Sequence, residues 1–255
     1  MADEAEITRL QQVAAADPAD AETRLALLQL LVEAARWKEA EEAGDVLLQE
    51  ESPPGAAHAL MAIVYSKDRR WDAAVGQCRQ ALEKQPDDPL VMFNLGTLLV
   101  QQGDPQAAIE HLEKAIELQS GWAEAHYALG TALLHRERYR EAINAFDEAI
   151  ELRPSYPEAE FNRGNAYAMR GLESNGTMDY YELDCAVQAY KKAIQQRPGY
   201  PAALYNLGMV YKRMKSSEGL RVWDEYMEAA RPLPEETIWW ARAQEFKADL
   251  QDRLK

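Results

Sequence analysis

The sequence contains few of the residues that disulfide-bonded, metal-bound or membrane-spanning proteins depend on. Two cysteines and four histidines in 255 residues exclude a disulfide framework and a structural zinc site. No apolar run approaches the length needed to cross a bilayer, so we expect no membrane insertion. The opening residues, Met-Ala-Asp-Glu-Ala-Glu, lack the basic and apolar regions of a signal peptide, which predicts a cytoplasmic protein.

Basic residues are also scarce. Lys and Arg number 28 against 43 Asp and Glu, a formal net charge of −15, and this balance argues against a nucleic-acid partner. The imbalance is uneven along the chain: residues 1–52 carry 13 acids and 4 bases, whereas residues 157–255 carry 15 acids and 14 bases. A groove that selects acidic ligands would therefore lie towards the C-terminal end.

The sequence has no recognisable catalytic constellation. It lacks a glycine-rich phosphate loop, a strand-turn-helix context for a nucleophile and a paired-histidine zinc motif. The two histidines that share a helix, His126 and His135, are nine residues apart, which is a poor spacing for metal ligands. We therefore expect no enzymatic activity, no cofactor and no metal site.

What the chain does contain is a long internal repeat. Four independent columns of residues share a period of 34, followed by one interval of 44 before the last member. The glycine column is Gly96, Gly130, Gly164 and Gly208. One alanine column is Ala40, Ala74, Ala108, Ala142 and Ala186, and another is Ala81, Ala115, Ala149 and Ala193. The fourth is Tyr65, Leu99, Leu133, Tyr167 and Tyr211. The 44-residue interval indicates an insertion of ten residues in one repeat.

Each repeat predicts two antiparallel helices, here called A and B. Apolar residues recur at steps of three and four, interrupted midway by polar turns such as Gln102-Gly103-Asp104. Each repeat ends at a proline-containing turn such as Arg153-Pro154-Ser155, where a helix cannot continue. Glycine on A and alanine on B predict that the two helices approach closely.

This period and these residue types resemble the tetratricopeptide repeat family. The resemblance implies an all-α, right-handed superhelical solenoid of antiparallel helix pairs, with about six repeats over residues 21–234. The predicted repeats start at Ala21, Gly55, Pro89, Ala123, Pro157 and Pro201. Residues 1–20 and 235–255 are predicted to form capping helices. In the C-terminal cap, Ile238, Trp239, Ala243, Phe246 and Leu250 are predicted to form the packed face, with Trp240 outside that pattern.

The resemblance also implies a binding surface. In relatives, the concave face lined by A helices binds peptide segments, and asparagines on it contact the ligand main chain. The matching aromatic residues here are Phe93, Tyr127, Phe161 and Tyr205, and the matching asparagines are Asn94, Asn162, Asn165 and Asn206. Aromatic rings provide rigid contact area, and an amide both donates to and accepts from a peptide backbone. The alternative is that these side chains pack between neighbouring helices.

Two cations extend this predicted surface. Lys212 and Arg213 lie near the end of the last full A helix, where they would meet an acidic stretch of a ligand or remain solvated. A carboxylate clamp like that of chaperone-binding relatives is not expected. Phe161 stands where its lysine belongs, and Glu236 and Trp240 stand where its last two cations would be.

The ten-residue insertion falls within about residues 172–183, in the turn between the helices of the fifth repeat. Asn175-Gly176 has turn chemistry, and Tyr180 and Tyr181 follow it. Such an insertion predicts either a binding loop or a lengthened B helix with the tyrosines packed on its neighbours.

Two functions follow from the sequence. The first is a scaffold or adaptor that binds a peptide segment of a partner protein in the groove. The second is a scaffold that associates with itself into a homo-oligomer through Trp239 and Trp240 or through the insertion.

Overall fold

The computed structural model describes residues 4–17, 20–173, 178–231 and 237–253. Within these residues the chain forms fourteen α-helices and no β-strand. Those of residues 1–120 are α1 (Glu4–Ala16), α2 (Ala21–Glu33), α3 (Trp37–Leu48), α4 (Gly55–Lys67), α5 (Trp71–Lys84), α6 (Pro89–Gln102) and α7 (Pro105–Leu118). Those of residues 121–255 are α8 (Ala123–His135), α9 (Tyr139–Leu152), α10 (Pro157–Glu173), α11 (Tyr180–Gln196), α12 (Pro201–Met214), α13 (Glu218–Ala230) and α14 (Thr237–Arg253).

Local sequence determines where these helices begin. Six of them start at the residues predicted to begin the six repeats. Three of those residues are prolines: Pro89, Pro157 and Pro201. Proline suits the first position of a helix because its backbone needs no hydrogen-bond donor there. The side chains of Asp88 and Asp179 cap α6 and α11 by accepting hydrogen bonds from backbone N–H groups of the first turn.

The helices pack as antiparallel pairs within two compact units, residues 1–120 and residues 121–255. The pairs of the first unit are α2–α3, α4–α5 and α6–α7, and those of the second are α8–α9, α10–α11 and α12–α13. The predicted fold class, all-α with antiparallel helix pairs, is confirmed.

The glycine column makes room for large side chains of the B helices. A Cβ atom at Gly130 would lie 2.6 Å from the ring of Phe146, and one at Gly164 would lie 2.7 Å from the ring of Tyr190. At Gly208 the neighbour is Trp223, at 2.8 Å. Glycine thus admits a B-helix side chain as well as allowing close helix approach. Trp223 also fixes the register of α13, which lacks the alanines of the other B helices.

Helices at both ends cover the apolar faces of the terminal pairs. At the N-terminal end, Ile7 and Leu10 are buried in one cluster with Leu28 and Leu31 of α2. At the C-terminal end, Ala243 and Leu250 of α14 are fully buried.

The predicted packing face of α14 is partly wrong. Ile238 and Trp239 are 71% and 43% exposed, whereas Trp240 is half-buried and its indole N–H donates to the carbonyl oxygen of Met227 at 3.0 Å. The stripe that packs on α13 contains Trp240 and Ala243 and leaves Ile238 on the opposite side of the helix.

The insertion lengthens both helices of the fifth pair. Helices α10 and α11 have 17 residues each, against 13 or 14 in the other pairs of this unit. The predicted Asn175-Gly176 turn lies outside the described residues. Tyr180 and Tyr181 are 53% and 73% exposed, so they do not pack on neighbouring helices as the lengthened-helix alternative expected.

Candidate functional site

The predicted site residues are divided between the two units. Phe93 and Asn94 lie on α6 of the first unit, where both are half-buried. The other eight lie on α8, α10 and α12 of the second unit. We use the name amide face for the second-unit surface formed by Tyr127, Phe161, Asn162, Asn165, Tyr205 and Asn206, all of which are half-buried.

The asparagines of the amide face form one hydrogen-bonded row. The Nδ2 group of Asn206 donates to Oδ1 of Asn165 at 2.8 Å, and Nδ2 of Asn165 donates to Oδ1 of Asn162 at 3.2 Å. Nδ2 of Asn162 then donates to the hydroxyl oxygen of Tyr127 at 3.1 Å. The row therefore connects α12, α10 and α8, and it holds each amide in a defined orientation.

A buried tyrosine anchors this row from the B helix. The hydroxyl of Tyr190 donates to Oδ1 of Asn165 at 2.8 Å, and the Tyr190 side chain is 1% exposed. Burial raises the pKa of Tyr190, so this hydroxyl remains a donor at any physiological pH. Oδ1 of Asn165 accepts two hydrogen bonds, which uses the two lone pairs of that oxygen.

Asn206, at one end of the row, retains binding capacity. No described residue donates a hydrogen bond to its Oδ1 atom, whereas its Nδ2 group donates to Asn165 and also interacts with the Tyr190 hydroxyl. An amide in this state can accept a hydrogen bond from the backbone N–H of a bound peptide. Asn162 and Asn165, in contrast, have both polar ends engaged within the row.

The aromatic residues of the amide face serve mainly in packing. The Tyr127 ring lies 5.0 Å from that of Tyr156, and the Phe161 ring lies 5.3 Å from that of Tyr200. The Tyr205 ring packs 5.4 Å from the exposed Trp239 of α14. These tilted and edge-on contacts are the geometries that aromatic pairs prefer.

A pocket of about 370 Å³ opens beside the amide row. Its lining includes the polar residues Asn165, Asn206 and Arg213, the tyrosines Tyr190 and Tyr205, and a large apolar wall. That wall includes Ala168, Met169, Leu172, Leu183, Met209 and Val210. Leu172 lies in the lengthened end of α10, and Leu183 follows the residues added at the start of α11, so the insertion borders one side of this pocket. We call it the insertion pocket.

A second, smaller pocket of about 250 Å³ lies on the other side of Tyr205 and Asn206. Its lining residues are Phe161, Ala202, Tyr205, Asn206 and Trp239. We call it the aromatic pocket. Since Tyr205 and Asn206 line both pockets, the two adjoin at the end of the amide row.

The two predicted cations have different surroundings. Lys212 pairs with Asp249 of α14 at 3.2 Å, and its Nζ atom lies 3.9 Å from the centre of the Phe246 ring. Arg213 is exposed, lines the insertion pocket and has no carboxylate of the described residues within 4.0 Å. Of these two cations, Arg213 is the one available to a ligand.

Arg163 occupies a repeat position that is leucine in three other repeats (Leu95, Leu129 and Leu207), and it forms ion pairs there. Its Nη2 atom lies 2.5 Å from Oε2 of Glu160, and its Nη1 atom lies 2.6 Å from Oδ1 of Asp147 on α9. Burial raises the pKa of Glu160, with Arg163 opposing that shift. The contact with Asp147 joins α10 of the fifth repeat to α9 of the fourth, while the contact with Glu160 lies within α10.

Sequence reasoning missed the residues that complete the site. Tyr190 belongs to the column of large B-helix residues, and its hydroxyl distinguishes it from Phe146 in the preceding repeat. Leu172 and Leu183 flank the insertion. The repeat period does not reveal that the helices on both sides continue into it. The one sequence feature that could have indicated this site is Tyr190 itself, because it places a hydroxyl at the B-helix position that packs against the glycine of the A helix.

The described residues offer little for metal chemistry or membrane insertion. No three of their His, Cys, Asp or Glu side chains are grouped so that they could hold a metal ion. Every helix among them is too short or too polar to span a bilayer. Both cysteines are free thiols, and burial raises the pKa of Cys78 to about 12, which keeps this thiol protonated and unreactive.

Two models of protein families together match more than half of the chain. The family described as TPR repeat matches residues 130–171 and 182–215. The family described as tetratricopeptide repeat matches residues 55–120.

One curated human protein is similar over a short stretch. Protein O-mannosyl-transferase TMTC1 of Homo sapiens is 35% identical over 85 residues. That stretch is 33% of this chain and only 10% of the human protein.

Solved structures share the fold. The crystal structure of MamA is 27% identical with a TM-score of 0.60, covering 67% of this chain and 95% of that one. YrrB, described as a TPR protein with an unusual peptide-binding site, is 23% identical with a TM-score of 0.65. That match covers 77% of this chain and 96% of YrrB.

Proposed function

Because this chain belongs to the tetratricopeptide repeat family, we propose that it is a non-catalytic adaptor that binds an extended peptide segment of a partner protein on the amide face. The observation that carries the proposal is Asn206. The amide row holds it in place, its Oδ1 atom has no partner among the described residues, and an apolar pocket opens on each side of it.

The arrangement suits an extended backbone. A peptide that is not in a helix or sheet presents unpaired N–H and C=O groups, and an ordered amide satisfies them without selecting a side chain. The row fixes that amide before the ligand arrives, which reduces the entropy lost on binding. Asn162, Asn165 and Tyr127 then act by positioning Asn206, and the pockets receive side chains.

The remaining predicted contacts extend this surface. Phe161 and Tyr205 contribute ring edges, and Arg213 contributes a free guanidinium. Phe93 and Asn94 would form an equivalent but simpler contact on the first unit. Lys212 is excluded from the proposed contacts because Asp249 and Phe246 engage it.

A second function is favoured by one feature of α14. Ile238 and Trp239 are adjacent and exposed, and they could join two copies of this chain. Self-association through this helix is therefore the competing proposal. Sedimentation over a range of protein concentrations distinguishes it from peptide binding by a monomer.

A phage-displayed library of random peptides, panned against the full chain, tests the proposed function. We expect enriched clones that lose most of their binding to the Asn206→Ala variant. The matched control is Gln188→Ala, which removes an exposed amide from α11 of the same unit. Failure to enrich clones, or clones that bind the Asn206→Ala variant as well as the wild type, would contradict the proposal.

A further inference from the structure

We propose that the ligand of the amide face is an acidic extended segment with two apolar side chains at positions i and i+2, one for each pocket, and that side-chain carboxylates of the segment pair with Arg213 and Arg242. This inference rests on the proposed function and specifies its ligand. It follows from the relation of the two pockets to Asn206 and from the two arginines that flank them.

The spacing follows from the geometry of an extended chain. Side chains i and i+2 project to the same side and are about 6.5–7 Å apart along the chain, while residue i+1 projects the other way. The insertion pocket and the aromatic pocket share Tyr205 and Asn206, so they adjoin on one surface. A segment that fills both pockets therefore carries the backbone of residue i+1 across Asn206.

The pocket walls determine which side chains fit. The insertion pocket contains the flexible thioethers of Met169 and Met209 beside two leucines, and such a wall adapts to leucine, methionine or phenylalanine. The aromatic pocket presents the faces or edges of Phe161, Tyr205 and Trp239 and has about two thirds of the volume of the other. A compact aliphatic side chain suits it.

Charge complementarity identifies the flanking residues of the ligand. Most arginines of this unit pair with a carboxylate. They include Arg138, Arg153, Arg163, Arg170, Arg197, Arg221 and Arg253. Five exposed arginines of this unit have no carboxylate of the described residues within 4.0 Å: Arg136, Arg140, Arg213, Arg231 and Arg242. Arg213 and Arg242 are singled out by their position next to the pockets.

One of these two arginines lines a pocket, and the other contacts residues that line the second pocket, where it also hydrogen-bonds to Tyr205. Arg213 lines the insertion pocket. The guanidinium of Arg242 lies 5.2 Å from the centre of the Trp239 ring, which lines the aromatic pocket. A ligand carboxylate before or after the i, i+2 pair would therefore lie near Arg213 or Arg242. Neither arginine forms an ion pair with a carboxylate of the described residues.

The net charge of −15 does not oppose an acidic ligand here. Residues 157–255, which carry both pockets, have 15 acids against 14 bases, while residues 1–52 have 13 against 4. Because most of the excess negative charge lies outside the residues that carry the pockets, salt screens most of its effect on a ligand bound there.

Synthetic peptides with fluorescent labels test the inference by anisotropy with the full chain. The central probe is the amidated peptide Gly-Ser-Glu-Leu-Ser-Leu-Glu-Gly-Ser. One comparison peptide has Lys in place of both Glu residues, and another has the two leucines adjacent. We expect the central probe to bind at least about tenfold more tightly than either comparison peptide, the size of one lost charged or buried contact.

Charge reversal provides the sharpest variant. Arg213→Glu is expected to weaken the Glu peptide about tenfold and to strengthen the Lys peptide, which a merely misfolded variant would not do. Leu172→Gln is expected to weaken both, since it places an amide in the insertion pocket. Gln188→Ala should leave both peptides unchanged.

Three outcomes would overturn the inference. They are equal binding of the Glu and Lys peptides, equal binding of the i, i+2 and adjacent-leucine peptides, and no binding of the amidated probe when a fourth peptide, Gly-Ser-Glu-Leu-Ser-Leu with a free C-terminal carboxylate, does bind. The library experiment separates this failure from that of the proposed function. Clones that depend on Asn206 but lack the acidic i, i+2 pattern would overturn only the inference, and an absence of Asn206-dependent clones would overturn both.

Discussion

The two units of this chain share a repeat but differ in what the repeat exposes. In the first unit, the glycine on α6, Gly96, receives Leu112, and the only predicted site amide, Asn94, has no side-chain partner among the described residues. In the second unit, Gly164 receives Tyr190, whose hydroxyl reaches past the packing contact to Asn165. One packing column thus maintains the helix pairs in both units and anchors an amide row in only one.

The comparison teaches that fold and site depend on different columns of the same repeat. Glycine and alanine positions determine how the helices of a pair approach, and they recur in both units. Positions on the exposed side of the A helices repeat less completely, since Ala128 stands where the other repeats have Asn94, Asn162 and Asn206. A connected polar row arises only where three successive A helices and one B helix supply matching groups.

The largest expected effect comes from filling a glycine in the second unit. We expect Gly164→Val to lower the free energy of unfolding by about 3 kcal/mol, because a Cβ atom alone would lie 2.7 Å from the Tyr190 ring. Urea titration followed by circular dichroism measures this. Gly76→Ala is the matched control in the first unit: nothing lies within 4 Å of its added Cβ, and helix propensity should raise stability by about 1 kcal/mol.

A similar loss in both variants would contradict the account, because it would mean that any glycine of a helix is sensitive regardless of its neighbours.

Removing single amides tests whether the row exists only in the second unit. Asn165→Ala is expected to cost about 2 kcal/mol, since it leaves the buried Tyr190 hydroxyl without its acceptor and disconnects Asn206. Asn94→Ala in the first unit should change stability by less than about 0.5 kcal/mol. Thermal unfolding monitored by calorimetry compares the two, and equal effects would show that the row contributes nothing special.

Deleting one hydroxyl makes the fifth repeat resemble its neighbour, which has Phe146 at the corresponding position. Tyr190→Phe keeps the ring under Gly164 and is expected to cost about 1 kcal/mol, because Asn165 keeps its hydrogen bond from Asn206. Chemical denaturation measures the loss, and library-derived peptides should bind the variant less tightly. A variant as stable as the wild type, with unchanged peptide binding, would show that the anchor is dispensable.

The smallest expected effect concerns pH. Burial raises the pKa of Glu160 above its ordinary value of 4.5, so the folded state binds this proton more readily than the unfolded state. The contribution of Glu160 to stability therefore becomes more favourable as the pH falls from neutral towards 4.5. Wild type and Glu160→Gln, compared by urea titration across this range, should show the wild type gaining stability relative to the variant, and a relative loss would contradict the assignment.

Much of the fold follows from the sequence because packing columns repeat. The first residues of α2, α4, α6, α8, α10 and α12 coincide with the positions that the period marks, where proline and capping aspartates start helices. The face of α14 was harder to predict because a terminal helix packs on one side only, and no repeat constrains whether Trp239 or Trp240 lies inward.

The site was only partly predictable. The asparagines could be found from their position in the repeat, but the hydrogen bonds among them require side chains from α8, α10, α11 and α12 together. The wall of the insertion pocket depends on how far α10 and α11 continue, which a break in periodicity does not specify. The same limit applies to Arg163, whose partners Glu160 and Asp147 lie on two helices.

The most direct test of the central claim is hydrogen–deuterium exchange of the full chain with and without a library-derived peptide. We predict slower exchange on peptide binding in α10 and α12, and no change in α2 and α4, because the amide face carries Asn206 and both pockets. Protection confined to α2 and α4, or to the exposed end of α14, would contradict the account.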